Sequence, residues 1–221
     1  MKRKCAKKAF EMIEDGMMVG LGGGSTVGLL IEELERGKKC ITAVTPSGDT
    51  MELCIKHHIP VLPLEMADAI DLAFDGCDEV DQELNALKSC GGIHTREKIV
   101  ASMAKDYVLL ADEKKYEKHL AFEHPVTVEV VRSGRSYVKK CLEELGATVT
   151  ERKSAQKMGL VISDDGHYLM EASFLEVKDV KALAEKLDAI TGIVDHSLFY
   201  QVASKAIIAK DDEIFVIEKG I

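Results

Sequence analysis

No Cys-x-x-Cys pair and no His-Glu-x-x-His run occurs anywhere in the 221 residues. The cysteines, Cys5, Cys40, Cys54, Cys77, Cys90 and Cys141, therefore lack the spacing of a zinc cage or a redox dithiol. They are expected to be reduced, small apolar residues of a cytosolic protein, and no metal is expected. No stretch approaches the ~18 apolar residues of a membrane span, and the first residues lack the apolar core of a signal peptide. A cytoplasmic chain with no membrane partner is the expectation. Basic residues are outnumbered 29 to 38 by acidic ones, a net charge of −9, which argues against a broad phosphate-backbone footprint and so against a nucleic-acid partner. Internal repeats and low-complexity segments are missing too. The composition, 46% hydrophobic and 30% charged, is that of a globular chain able to bury one large core, or a medium one with a smaller companion.

What is present concentrates between Ala73 and Lys98. The apolar run Leu72 to Phe74 ends in Asp75-Gly76, which reads as a buried strand delivering a carboxylate to a tight turn. In open α/β sheets the carboxyl edge of the strands is where ligands bind. Cys77 and Asp78 follow at once. Lys88 precedes Ser89, Cys90, Gly91 and Gly92, and the glycines allow the backbone to approach a ligand closely. Arg96-Glu97-Lys98 opens a helix whose apolar stripe is read as Ile99, Val100, Met103 and Ala104, placing Glu97 in the first turn. Asp75, Asp78, Lys88 and Glu97 can thus surround one small polar molecule. Each acid alone has a plain alternative as a cap or a dipole partner. The cluster, together with a second glycine loop upstream, points to a site.

That loop is Gly22-Gly23-Gly24-Ser25-Thr26, set between a short strand, Met18 to Leu21, and a helix with Val27, Leu30, Ile31 and Leu34 on one side. The first N–H groups of a helix have no internal partner and favour an anion. Ser25 stands where a dinucleotide fingerprint has its third glycine, and no lysine precedes the serine as in a P-loop. Neither a dinucleotide nor a P-loop nucleotide is therefore expected. Upstream, Ala6, Ala9, Phe10 and Ile13 mark a first helix closed by Gly16, with the basic residues of 2–8 as its solvated face. Further strands are expected at 41–45, 61–64, 72–74 and 107–110, the last running into Asp112-Glu113-Lys114-Lys115. Short apolar strands alternating with helices predict a mainly parallel, Rossmann-like α/β sheet with helices on both faces. After Pro125 the order becomes β-α-β-β-α-β, with a hairpin at Asp164-Asp165-Gly166. It predicts a smaller α+β domain of split βαβ, ferredoxin-like type over 126–199. Strands at 206–209 and 214–217 return to the first sheet, so the larger domain spans 1–125 and 200–221. Residues 153–157 are read as a mobile loop.

With these residues laid out, the chain resembles the ribose-5-phosphate isomerase family of the A type along its whole length. Val19-Gly20-Leu21-Gly22-Gly23-Gly24-Ser25-Thr26 is similar to that family's V-G-x-G-T-G-S-T loop, and Asp75-Gly76-Cys77-Asp78-Glu79 to its D-G-A-D-E. Thr95-Arg96-Glu97-Lys98-Ile99-Val100 matches its R-E-K-I segment, Ala111 to Lys115 its A-D-x-S-K loop, and Pro125 to Val130 its P-x-x-V-E-V strand. The resemblance implies interconversion of ribose 5-phosphate and ribulose 5-phosphate in the pentose phosphate pathway, with neither metal nor cofactor. It implies Glu97 as the base acting between C2 and C1, with Asp75 and Lys88 assisting ring opening and stabilising charge on oxygen. Asp78 would hold sugar hydroxyls, and Gly23, Gly24, Ser25, Thr26 and Lys115 sugar and phosphate. Gly76, Cys77, Ser89, Cys90 and Gly91 complete the expected substrate contacts. A homodimer or homotetramer is implied, with a small sugar phosphate as the only other partner.

Gly23 stands where the family carries threonine, Ser89-Cys90 where it carries two glycines, and Thr45 to Asp49 differs from its serine-rich turn. Cys90 is read as a buried, inert thiol. Two rivals share a related fold. A sugar-phosphate sensor of the repressor type needs a helix-turn-helix, for which about 17 residues ahead of the first expected strand leave no room. An acyl-CoA transferase needs a glutamate nucleophile, a part Glu97 could take.

Overall fold

The computed structural model describes residues 1–155, 157–210 and 213–219. Helix α1 (Lys2–Glu11) leads to strand β1 (Met18–Leu21), α2 (Ser25–Gly37), β2 (Thr42–Val44), α3 (Gly48–Lys56) and β3 (Ile70–Gly76). Two short strands, β4 (Glu79–Asp81) and β5 (Ala86–Leu87), precede α4 (His94–Met103), β6 (Ala104–Asp112) and β7 (Tyr116–Glu117). Then come β8 (Val126–Val130), α5 (Arg135–Glu144), β9 (Thr148–Glu151), β10 (Lys153–Ser154), β11 (Lys157–Leu160) and β12 (Tyr168–Ser173). Helix α6 (Val180–Asp188) is followed by β13 (Ile193–His196), β14 (Leu198–Phe199), β15 (Lys205–Lys210) and β16 (Glu213–Glu218).

Six strands form the main sheet in the order β16-β15-β6-β3-β1-β2, parallel throughout except for β16. Its strands are apolar on both faces because both are covered. Val108 and Leu110 of β6, with Ile207 and Ala209 of β15, join the core under α1, α2 and α3. The alternate residues Tyr107, Leu109, Ala206 and Ile208 join the core under α4, as the period of two along a strand requires. From β1 the chain crosses to β2 on one side, and from β3 to β6 on the other. That reversal opens a crevice at the carboxyl ends of β1 and β3, the topological switch point where such sheets take ligands. Gly22 to Gly24 leave the sheet there from β1, and Asp75 ends β3 beside them.

A second sheet, ordered β13-β8-β12-β9 with antiparallel ladders, carries α5 and α6 on one face. Val126, Val128 and Val130 point into that face with Val138, Leu142, Leu183 and Leu187. The opposite residues, Thr127 and Glu129, are also buried, because α4 lies against that side: the Thr95 hydroxyl donates to Glu129 Oε2 and Lys98 pairs with Asp195. A third, small sheet, β14-β5-β4-β7, links the two regions.

Several elements differ from the sequence reading. The strand expected at 61–64 is reduced to one bridge between Val61 and Ala43, since Pro60 and Pro63 withhold the N–H groups a ladder needs. Helix α1 stops at Glu11, and Gly16, at φ +85°, instead makes the turn whose N–H donates to the Cys40 carbonyl. In α4 the buried residues are His94, Glu97, Val100 and Ala101, while Ile99 is 46% exposed. A helix pressed between two layers has no single stripe to read. Residues 153–157 are not simply a loop, because β10 and β11 pair as a two-stranded ladder. Gln156 within that reading, and Asp211 and Asp212 between the last two strands, lie outside the described residues.

Candidate active site

Three buried ionisable groups meet at the switch point. Asp75, at the end of β3, is 2% exposed, Lys88, just after β5, is 6% exposed, and Glu97, in the first turn of α4, is 6% exposed. Lys88 Nζ lies 3.0 Å from Asp75 Oδ2 and 3.3 Å from Glu97 Oε1, and donates as well to the Gly76 carbonyl. All three ammonium protons are thereby engaged. Asp75 is held on both oxygens. Its Oδ1 accepts the N–H groups of Gly76 (2.8 Å) and Gly23 (3.3 Å), and its Oδ2 also accepts the Tyr107 hydroxyl (3.1 Å). A Cβ on Gly22 would lie 2.1 Å from the Asp75 carboxyl. Only a residue without one lets the loop pass this close.

Glu97 is held differently. Among the described residues Lys88 is the one partner of its carboxylate, and Asp75 already shares that lysine. Burial, followed by the nearby Asp75 charge, pushes Glu97 up to about 8, and Lys88 offsets only part of this. Burial likewise opposes the Lys88 ammonium, yet Asp75 and Glu97 together outweigh it and hold the group above the ordinary lysine value. Burial and Asp75 raise the Tyr107 phenol, which stays a protonated donor. A buried carboxylate poised near neutrality beside a fixed ammonium can move a proton on and off carbon, while the cation steadies negative charge on a neighbouring oxygen.

These groups open onto a cavity of about 530 Å³. Of the residues expected from the sequence, Gly23, Gly24, Asp75, Gly76, Cys77, Asp78, Lys88, Cys90, Gly91, Glu97 and Lys115 line it. Ser25 and Thr26 do not. They line an adjoining hollow of about 150 Å³ that shares Gly23, Gly24, Gly76 and Lys115 with the larger space. Gly24 caps α2 at φ +92°, so the first N–H groups of that helix face this hollow. Ser89 lines neither space: it is 1% exposed, with Oγ 3.1 Å from Ser197 Oγ, and only its N–H serves the site by donating to Asp78 Oδ2 at 2.7 Å. Cys90 is exposed rather than buried, because its N–H also turns towards Asp78 Oδ2, at 2.9 Å.

The structure adds residues that the sequence reading passed over. Ser47, Gly48 and Asp49 at the start of α3, Ile93 before α4, and Asp164 from the turn before β12 all line the larger cavity. Lys2, read as part of a solvated face, reaches back to the hollow with Nζ 2.8 Å from Ser25 Oγ. A polar turn ahead of a helix, as at Thr45 to Asp49, was the available signal for Ser47 to Asp49. Nothing local marks Lys2 or Asp164.

An open α/β sheet with a carboxylate, an ammonium and a poised glutamate at its switch point defines an acid–base enzyme for a small polar substrate. The comparisons narrow the class. A profile of the family described as ribose 5-phosphate isomerase A (phosphoriboisomerase A) matches residues 42–213. Ribose-5-phosphate isomerase A of Methanosarcina acetivorans is 39% identical, covering 99% of this chain and 94% of that protein, and that of Pyrococcus horikoshii is 35% identical over 99% and 98%. Among solved structures, ribose 5-phosphate isomerase A from Methanocaldococcus jannaschii superposes with a TM-score of 0.91 at 32% identity, covering 99% and 98% of the two chains. A D-ribose-5-phosphate isomerase in complex with phospho-erythronic acid gives a TM-score of 0.92 at 34% identity over 98% and 97%. The chain belongs to the ribose 5-phosphate isomerase A family.

Proposed function

We propose that the protein interconverts D-ribose 5-phosphate and D-ribulose 5-phosphate through an enediolate, as an aldose–ketose isomerase of the non-oxidative pentose phosphate pathway. The observation that carries this reading is Glu97: a buried carboxylate, raised to about 8, facing an ammonium it shares with Asp75 at the wall of an open polar cavity. Glu97 takes the C2 proton as a carboxylate and returns it to C1. The electron pair moves into the C1–C2 double bond as the carbonyl pair shifts onto O1, whose charge lies beside the Lys88 ammonium; when C1 is reprotonated, the O2 hydroxyl proton passes to O1 and the C2 carbonyl forms. Asp75 fixes Lys88 and assists opening of the sugar ring. Asp78 holds hydroxyls with help from Gly76, Cys77, Cys90 and Gly91, and the Ser89 backbone holds Asp78 in place. The phosphate belongs in the hollow of Gly23, Gly24, Ser25 and Thr26, with Lys115 and Lys2 supplying positive charge at the α2 N-terminus. Phospho-erythronic acid, bound by a relative, ends in a carboxylate whose paired oxygens imitate those of an enediolate, which fits this placement.

The same reading takes the reaction as run by side chains without metal or cofactor, in a cytoplasmic homodimer or homotetramer. It treats 1–125 with 200–221 as the unit bearing the catalytic groups, and 126–199 as the unit that covers α4. Among the described residues no helix is long and apolar enough to cross a membrane. The deciding experiment supplies ribose 5-phosphate in D₂O and follows the ketose by NMR. Ribulose 5-phosphate carrying deuterium at C1 supports proton transfer through an exchangeable base; no ketose, beside active acyl-CoA exchange, would overturn the reading in favour of a transferase.

A further inference from the structure

At the edge of the cavity Asp78, Cys90 and His124 each bring a donor atom within 4.8 Å of the other two. A carboxylate oxygen, a thiol sulfur and an imidazole nitrogen form the mixed set that zinc takes, whereas magnesium and calcium take oxygen alone. The surroundings already orient two of the three. Asp78 Oδ2 is fixed by the Ser89 and Cys90 N–H groups, which leaves Oδ1 for a ligand. His124 Nδ1 lies 3.0 Å from Glu79 Oε1, and the same buried carboxylate accepts the N–H groups of His124 (2.7 Å) and Phe122 (2.9 Å). A carboxylate on Nδ1 keeps the ring proton there and presents the Nε2 lone pair, the arrangement by which proteins orient metal-binding histidines. Ligand bonds of 2.0–2.3 Å put tetrahedral donors roughly 3.3–3.8 Å apart, so the exposed Cys90 side chain, with small adjustments of half-buried Asp78 and His124, closes the set.

We propose that Asp78, Cys90 and His124 bind a thiophilic divalent cation, with zinc the best match, and that its binding closes the cavity to sugar. On binding, the Cys90 thiol releases its proton to solvent, and the resulting thiolate and the Asp78 carboxylate balance the two positive charges. Water takes the fourth position. The bound cation withdraws Asp78 from sugar hydroxyls; this inhibitory consequence rests on the isomerase reading, whereas the binding does not.

The test titrates the full chain with zinc chloride against a chromophoric chelator, and in parallel loads it with cobalt(II), whose thiolate bond absorbs in the near ultraviolet. One zinc per chain is expected. Cys90→Ser and His124→Ala should each weaken uptake at least about tenfold, and Cys90→Ser should erase the cobalt–thiolate band. His124→Ala should keep its uninhibited turnover and lose inhibition by zinc, and chelator should restore turnover to the zinc-treated unaltered chain. No uptake by the unaltered chain, or undiminished uptake by either variant, overturns the site. Uptake without inhibition overturns the inhibitory consequence. If ribose 5-phosphate is not turned over at all, the functional reading fails while zinc uptake still decides the site.

Discussion

Two buried glutamates, Glu97 on α4 and Glu129 on the strand β8 packed against it, titrate in opposite directions. Glu97 is 6% exposed and Glu129 2% exposed, so desolvation penalises the charge on both. On the Glu129 side the carboxylate accepts the hydroxyls of Thr95 and Ser163, the latter at 2.5 Å, and lies 2.9 Å from His167 Nδ1. Burial still works against its charge, but these three partners outweigh it and hold Glu129 below the usual carboxylate range. On the Glu97 side one lysine serves two carboxylates, and the value rises to about 8. Burial alone therefore does not make a base. Burial combined with a shortage of donors does, and α4 touches both outcomes, carrying Glu97 itself and, two residues earlier, the Thr95 hydroxyl that serves Glu129 on β8.

Glu97 carries the largest expected effect. Glu97→Gln keeps the shape and removes the base, so turnover should fall about 100- to 10,000-fold while substrate affinity measured by calorimetry barely changes; near-normal turnover would take the role from Glu97. Lys88→Met leaves both buried carboxylates without their cation, while Asp75 keeps its N–H and hydroxyl donors. Turnover should drop about 100-fold or more, the chain should lose about 3–5 kcal/mol in urea unfolding, and the pH limb should move upward. In the unaltered protein the base works only when deprotonated, so kcat/KM should rise with pH, about tenfold per unit below a bend near 8. A flat profile from pH 6 to 9 would separate Glu97 from catalysis.

Stability sharpens the contrast with a smaller effect. Glu129 has a lowered value, so what it contributes is present above the unfolded carboxylate range and disappears as pH falls through its folded value. Glu129→Gln should cost about 1–3 kcal/mol at neutral pH, the deficit shrinking in acid, with kcat/KM within about threefold of normal. Glu97 has the opposite sign. The folded chain loses stability as pH climbs from the ordinary carboxylate range through about 8, so Glu97→Gln should melt above the unaltered protein at about pH 9 and match it near about pH 5. Thermal melts across pH would expose any failure of this reversal.

Much of the site was legible because local chemistry marks it. An apolar run ending in Asp75-Gly76, a triple glycine ahead of a helix, and an acid in a first helical turn are short-range patterns, and all three converge here. What stayed hidden depends on layers. Tyr107 sits in the apolar run of β6 and looks like core; only the packing shows its hydroxyl on Asp75. Asp164 belongs to a turn of the second sheet, and Lys2 to the first helix, and no local pattern says that either reaches the cavity. Helix α4 misled for a related reason. Periodicity reports one buried face, whereas α4 has two, so the stripe through Ile99 was an illusion of spacing. Pro60 and Pro63, by contrast, are visible cues against a strand that the neighbouring apolar residues favour.

The closeness of Gly22 to Asp75 has an outcome at the level of genetics. In a library carrying every substitution at every codon, position 22 would be depleted as strongly as the acid it abuts, although it offers no side chain to any sugar. No second change at 75 can make room without removing that carboxylate, so the two strand ends are bound to a shared evolutionary fate.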